Sequence, residues 1–368
     1  MAIKSDIFNN ESLKKDIISE IKNYMESCNV NFLFGSGLSI GVLDTLGDIE
    51  DKLTKAEEMN NENKSKIISA LFWIFFKKSI YPIKNIDDHT DLKDIKSFLG
   101  VLKNILENRV TINSYRQINI FTTNYDSFIE ISLENLKVEY NDGFSGRINP
   151  YFDTSNYNKI YYQQSIFSDR KSEIPVFNLF KLHGSITWEL KKNKVYYCDY
   201  IDNISVFNDT YNDHMPDDIN LILDDEVNED LIPKIKFKNE FSENTFLSDY
   251  KQKFKIVNPT KHKFEETVFD NYYHELLRIY SNELEKRNTV LFVFGFSFRD
   301  EHIKEITKRS LNNPTLQVII FSYDERSSLE LEKMFDENRN VKIFKPDKNK
   351  KIDLIKLKEI FSKINEET

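Results

Sequence analysis

The stretch "FLFGSGLSIG", Phe32 to Gly41, runs from an apolar strand signal directly into three glycines. The chain holds only 9 glycines in 368 residues, so their clustering carries information. Two readings are open. The turn can simply join a strand to a helix. It can also let a phosphate approach bare backbone, with a helix starting near Ser39 adding its positive end.

The flanking sequence supplies the frame. Upstream, "ESLKKDIISEIKNYMESC" places Ile17, Ile18, Ile21 and Met25 at helical spacing. Downstream, 51–79 and 91–108 read as helices, and the first ends on the apolar patch "ALFWIFFKK", either core or interface. Further apolar runs are "QINIFTTNYD", "VFNLFKLHGS", "NTVLFVFGFSFRD", "TLQVIIFSYD" and "NVKIFKP". Continuously apolar strands alternating with helices predict an α/β fold: a Rossmann-like, doubly wound parallel sheet of about six strands, covered on both faces.

Two regions break the rhythm. Residues 137–174 are rich in Tyr, Asn and Ser, and 189–262 include the acidic run "DDINLILDDEVNEDL", read as solvated surface. Both are expected to be insertions, a smaller helical or irregular domain and a lid. The core is then 11–136, 175–188 and 263–368 within a single domain spanning 1–368.

Net charge is −9, so no overall basic field points to nucleic acid. Cys28 and Cys198 stand far apart, which suits neither a disulfide framework nor a four-cysteine zinc site. No long apolar segment suggests a membrane span, and a reducing cytoplasm is the expected location.

Four polar clusters each follow an apolar strand: "GSGLS" (Gly35–Ser39), "TTNYD" (Thr122–Asp126), "LHGS" (Leu182–Ser185) and "GFSFRD" (Gly295–Asp300). In a doubly wound sheet, ligands bind beyond the carboxyl ends of the strands, so parallel strands would bring all four to one crevice. Asn124 offers a donor and an acceptor, which suits ribose hydroxyls, and Asp126 can accept from an amide; both also suit turn and cap roles. His183 can move a proton near neutrality, and Gly184 beside it would leave room for a ligand. Gly295 and Ser297 could meet a second phosphate or ribose. Asp300 and Glu301 read as the start of a helix, and "DEH" at Asp300–His302 is rejected as a metal site because adjacent helical residues share no face. Ser322 and Asp324 suit either an adenosine ribose or a turn.

Together these motifs resemble the sirtuin family of NAD-consuming enzymes. "GSGLS" looks like the sirtuin Gly-Ala-Gly-x-Ser loop, and "TTNYD" is similar to Thr-Gln-Asn-x-Asp, with Thr123 in place of Gln. His183-Gly184 matches the His-Gly pair, and "GFS" matches the late Gly-[Thr/Ser]-Ser loop. The resemblance implies that Asn124 holds the nicotinamide ribose, Asp126 binds the carboxamide and His183 is the general base. It places Gly35, Ser36, Gly37 and Ser39 at the diphosphate, with Thr122 and Thr123 beside them. It implies that Ser297 contacts the phosphate or ribose on the far side, with Gly295 and Ser322 as further cofactor-binding candidates. The Gly-Ile-Pro-Asp-Phe-Arg continuation of sirtuins appears here as "GVLDTL", where Asp44 keeps one position and Pro and Arg are missing. Many sirtuin deacetylases carry four zinc-binding cysteines, but this chain has 2, so no zinc is expected.

These departures look like the bacterial sirtuin-like proteins of anti-phage systems. That branch implies an NAD+ glycohydrolase that releases nicotinamide and ADP-ribose, with NAD+ as substrate. It also implies a homo-oligomer working with a separate HerA-like ring ATPase, no membrane association, and nucleic acid met only through that partner. The competing readings are an NAD-dependent protein deacylase and a nucleotide-sensing scaffold without turnover.

Overall fold

The computed structural model describes residues 3–6, 11–43, 49–59, 64–109, 116–192, 194–216, 235, 237–257 and 271–366. Among them, β1 (Ile3–Asp6), β2 (Asn29–Phe34), β3 (Gln117–Thr122), β4 (Tyr140–Asn141), β5 (Val176–Lys181), β6 (Thr289–Phe294), β7 (Leu316–Phe321) and β8 (Val341–Lys345) form one sheet. Its order is β1-β8-β7-β6-β2-β3-β5-β4, and every neighbouring pair is parallel. The six apolar runs are β2, β3, β5, β6, β7 and β8, and the short β1 and β4 extend the edges. The winding reverses between β2 and β6, which are direct neighbours although far apart in sequence. That is the switch point at which such sheets bind ligands.

Alternate residues of each strand point to opposite faces. On one face, Phe32 and Phe34 of β2, Phe292 and Phe294 of β6 and Phe321 of β7 join one apolar cluster. Helices α1 (Glu11–Ser27), α2 (Ile49–Glu58), α3 (Lys64–Phe75), α4 (Lys93–Asn108) and α5 (Phe128–Asn135) contribute to it. On the other face, Leu33, Phe121, Phe180, Leu291 and Val293 meet Leu276, Tyr280 and Ile303. Each fully buried Leu or Phe contributes roughly 1.5–3 kcal/mol, so the two faces rather than the turns hold the sheet.

An asparagine row crosses the sheet near the starts of its strands. Asn31, Asn119, Asn178 and Asn141 are in register on β2, β3, β5 and β4. Asn119 Nδ2 donates to Asn31 Oδ1 at 2.9 Å, and Asn178 Nδ2 donates to Asn119 Oδ1 at 2.9 Å.

The helix expected over 51–79 is divided. Helix α2 ends at Glu58 and α3 begins at Lys64. Then α3 passes into a π-turn (Phe76–Ile80) and a 3-10 turn (Tyr81–Asn85). Pro82 has no N–H to continue an α-helix there. The "ALFWIFFKK" patch belongs to the core: Trp73 and Phe76 are buried and stacked, with centroids 5.3 Å apart.

The two interrupting regions meet. Tyr196 pairs with Tyr151, so Trp188–Lys191, Lys194–Tyr197, Tyr151–Phe152 and Phe144–Ser145 make one antiparallel sheet. Helices α6 (Tyr200–Tyr211) and α7 (Glu243–Lys253) add an aromatic cluster in which Phe207 and Phe254 pack on Phe76. The acidic run lies outside the described residues. Helices α8 (Asn271–Glu285), α9 (Glu301–Ser310), α10 (Glu325–Met334) and α11 (Leu354–Glu366) are the remaining described α-helices, and Tyr162–Gln164 pairs with Lys171–Glu173 in a separate antiparallel ladder.

Candidate active site

Backbone hydrogen bonds lace the four strand-end turns into one row. Gly35 N donates to Phe294 O (3.2 Å) and Gly37 N to Gly295 O (2.9 Å), joining the β2 and β6 turns. Thr123 N donates to Phe34 O (3.2 Å), joining β3 to β2. Leu182 N donates to Thr122 O (2.8 Å) and Ile186 N to Tyr125 O (3.0 Å), joining β5 to β3.

At the β2–β6 seam the backbones are nearly in contact. A Cβ on Gly37 would overlap Gly295 Cα, and Gly295 has φ +66°. Glycine is therefore demanded by the approach of one turn to the other. The amides of Gly35 and Gly37 already serve the β6 end, and Gly35 leads into a 3-10 turn, Ser36–Leu38, that contains Gly37. No α-helix starts at Ser39: the next described one is α2, from Ile49. The expected helix-end contribution to a phosphate is thus absent here, and Ser36 and Gly37 present surface rather than a helix terminus.

Beyond this seam opens a cavity of about 490 Å³, of nucleotide-binding size. Ser36, Gly37, Gly295, Ser297, Ser322 and Tyr323 line it, with Ile40, Phe296 and Leu331 as apolar wall and Asp91, Asp94, Glu330 and Asp353 as acids. Ser36 and Ser297 are exposed. Ser322 Oγ donates to Phe344 O at 3.0 Å, so its hydroxyl also ties β7 to β8. Asp324 caps α10 through Ser327 N at 2.8 Å. Asp44 lies outside the described residues.

Asn124, Asp126 and His183 stand beside the cavity, not in its lining. Ser39 is the hub. Its Oγ accepts from Asn124 Nδ2 at 3.0 Å and donates to Asp126 Oδ2 at 3.0 Å. Thr122 Oγ1 accepts from Asn124 N at 3.0 Å, and Asp126 Oδ1 accepts from Phe128 N at 3.1 Å. Burial pushes the Asp126 carboxyl upward, opposed by the nearby Lys181 charge.

Lys181, buried at the end of β5, donates to Asp126 O and lies 3.0 Å from Glu130 Oε1. Burial pushes the Glu130 carboxyl up to about 7, against the Lys181 charge. Sequence reasoning passed over this pair. The signal was present: a lysine inside the apolar run "VFNLFKLHGS" needs a buried partner.

His183 Nε2 lies 3.0 Å from Asp300 Oδ2. Asp300 does cap α9, its Oδ1 accepting from His302 N (3.1 Å) and Ile303 N (3.2 Å). Its contact with His183 comes in addition and is visible only once β5 and β6 are brought to one row. The expectation that Gly184 leaves room for a ligand is corrected. Gly184 has φ +75°, and a Cβ there would overlap Lys255 O and crowd Tyr273 Oη. The glycine admits the strand-like 254–257 segment, which also bonds His183 O through Val257 N at 2.8 Å.

The sequence matches the SIR2-like domain family over residues 118–344. The chain therefore belongs to the SIR2-like family, whose members are NAD-dependent enzymes. The matched stretch includes the "TTNYD", "LHGS" and "GFSFRD" turns. The Gly35–Ser39 turn precedes it, and its membership of the site stands on the backbone bonds to β3 and β6. No curated protein matches the chain.

The four-cysteine zinc set of many sirtuins does not fit this chain, which has 2 cysteines. Both are buried. Burial raises the Cys28 thiol and pushes the Cys198 thiol up to about 12, so each behaves as a small apolar residue. No group of three or more metal-ligating side chains occurs among the described residues.

Proposed function

We propose that the protein is an NAD+ glycohydrolase: NAD+ and water give nicotinamide, ADP-ribose and a proton. The observation that carries this reading is the junction at one switch point of a nucleotide-sized cavity and a buried Asn124–Ser39–Asp126 chain, with His183 on the adjoining turn. The cavity takes the adenosine and diphosphate, with Ser36, Gly37, Gly295, Ser297 and Ser322 along that part and Gly35 behind them. The nicotinamide ribose lies toward Asn124, whose amide exchanges its Ser39 bond for the ribose hydroxyls. Asp126 accepts from the carboxamide.

Breaking the nicotinamide–ribose bond leaves positive charge on the sugar, and the nicotinamide departs with the bonding pair. A carboxylate beside the sugar favours the cationic transition state over the neutral one, and Asp126 supplies it. His183 takes the proton of the attacking water as the new C–O bond forms. Orientation by fixed groups supplies much of the acceleration.

The resemblance extends the proposal to biology: depletion of NAD+ during phage infection, in a multi-subunit complex with a HerA-like ATPase, in the cytoplasm. The test is nicotinamide release from NAD+ by purified protein, alone, with an acyl-lysine peptide, and with candidate ATPase partners. The reading expects peptide-independent release that falls at least about 100-fold in His183→Ala and Asn124→Ala. Undiminished release by both variants would refute the roles, and strict dependence on the peptide would make the chain a deacylase.

A further inference from the structure

We infer that Asp300 is the positioning residue of His183: it holds the imidazole as the Nε2–H tautomer and leaves Nδ1 to accept the proton. The inference rests on the hydrolytic reading of the site and names a residue to which that reading gave no part.

The geometry divides the carboxylate between two tasks. Asp300 Oδ1 accepts the His302 and Ile303 amides at 3.1 and 3.2 Å, at the start of α9. Asp300 Oδ2 lies 3.0 Å from His183 Nε2. The Asp300 side chain is 7% exposed and that of His183 15%, so water competes little for the bond. Both carboxylate oxygens thus face donors, two backbone amides on Oδ1 and the imidazole on Oδ2. An ionised carboxylate only accepts, so the imidazole must donate from Nε2. In a neutral imidazole the other nitrogen then carries the lone pair.

The backbone fixes the approach of the two turns. Val257 N bonds His183 O at 2.8 Å and Gly184 N bonds Lys181 O at 3.1 Å, which anchors the histidine from below. Among the described residues, Asp300 Oδ2 is the close polar contact of the ring, 3.0 Å from Nε2, which leaves Nδ1 to take a proton from outside the pair. A base whose orientation is set by a carboxylate follows the general logic of nucleophile, base and orienting group. The same aspartate starts α9, so the helix and the imidazole share one fixed point.

The test separates capping from positioning. Asp300→Asn keeps a good N-cap but offers an amide that can donate to Nε2 and force the opposite tautomer. Asp300→Ser also caps and leaves the ring without its acceptor. The full chain is labelled with ¹⁵N-histidine, and His183→Gln assigns the signal. Expected is an Nε2–H tautomer in the parent and its loss in Asp300→Asn. NAD+ cleavage should fall about 10²–10⁴-fold in kcat, with KM within about threefold and the melting temperature nearly unchanged. Asp300→Ser should lose less, about 10–100-fold, again in kcat. Parent-like kcat in both variants, or an Nδ1–H tautomer in the parent, would overturn the inference. Parent-like turnover in His183→Ala would instead overturn the assigned role of His183, and the tautomer signal would still decide the pairing.

Discussion

The cavity beyond β2, β6 and β7 and the cluster beside β3 and β5 are made of different materials. The cavity floor is main chain, two turns pressed together at Gly37 and Gly295, and its acids, Asp91, Asp94, Glu330 and Asp353, come from elements outside that seam. The cluster is mostly side chain: Ser39 bridges Asn124 and Asp126, and Lys181 ties the Asp126 carbonyl to Glu130 inside the protein. A surface of bare backbone selects by shape, and a network of buried polar groups selects by charge and proton position. In the proposed reading, binding and chemistry fall on the two sides of the switch point.

The largest effect should come from attacking the cluster through its cation. Lys181→Met leaves Glu130 and the Asp126 carbonyl without their buried partner. It is expected to cost about 3–5 kcal/mol, read by urea denaturation, with turnover lost in parallel. Parent stability in this variant would mean that the network is dispensable. A smaller but sharper break is Gly295→Val. The side chain meets φ +66° and the Gly37 backbone, and strain with overpacking is expected to cost about 2–4 kcal/mol. Where enough folded protein survives, NAD+ affinity should fall while the His183 signal stays in place. Loss of that signal would show that the two sides are not separable.

The smallest effect is electrostatic. The folded Glu130 carboxyl keeps its proton up to about 7, against an ordinary value of 4.5. Between those values the folded chain binds more protons than the unfolded one, so raising the pH costs stability. Glu130→Gln removes this loss: parent and variant should draw apart as the pH climbs from about 4.5 to 7, with the variant gaining. A parent–variant gap independent of pH would mean that the carboxyl is ionised throughout beside Lys181.

The sheet was legible because six of its strands are buried on both faces and therefore predominantly apolar. "IKSD" and "YN", the edge strands β1 and β4, carry no such signal, since an edge strand needs no apolar run to pair. The row of turns followed from parallel strands alone. Asp300 was legible as a cap and not as a partner of His183, because capping is local and the contact depends on β5 and β6 ending at one level. Gly184 was misread for the same reason: its neighbours Lys255 and Tyr273 are distant in sequence. Lys181 could have been found, since burial of a charge inside a strand is itself a local anomaly.

The asparagine row near the strand starts has a consequence for the far end of the sheet. Gly35 follows Asn31, Thr123 follows Asn119 and Leu182 follows Asn178 at the same remove. A slip of β3 against β2 would set a buried amide opposite an apolar or mismatched neighbour, at about 1–3 kcal/mol for each bond lost. The row acts as a datum line, ruled across the strands at one end so that the turns finish flush at the other.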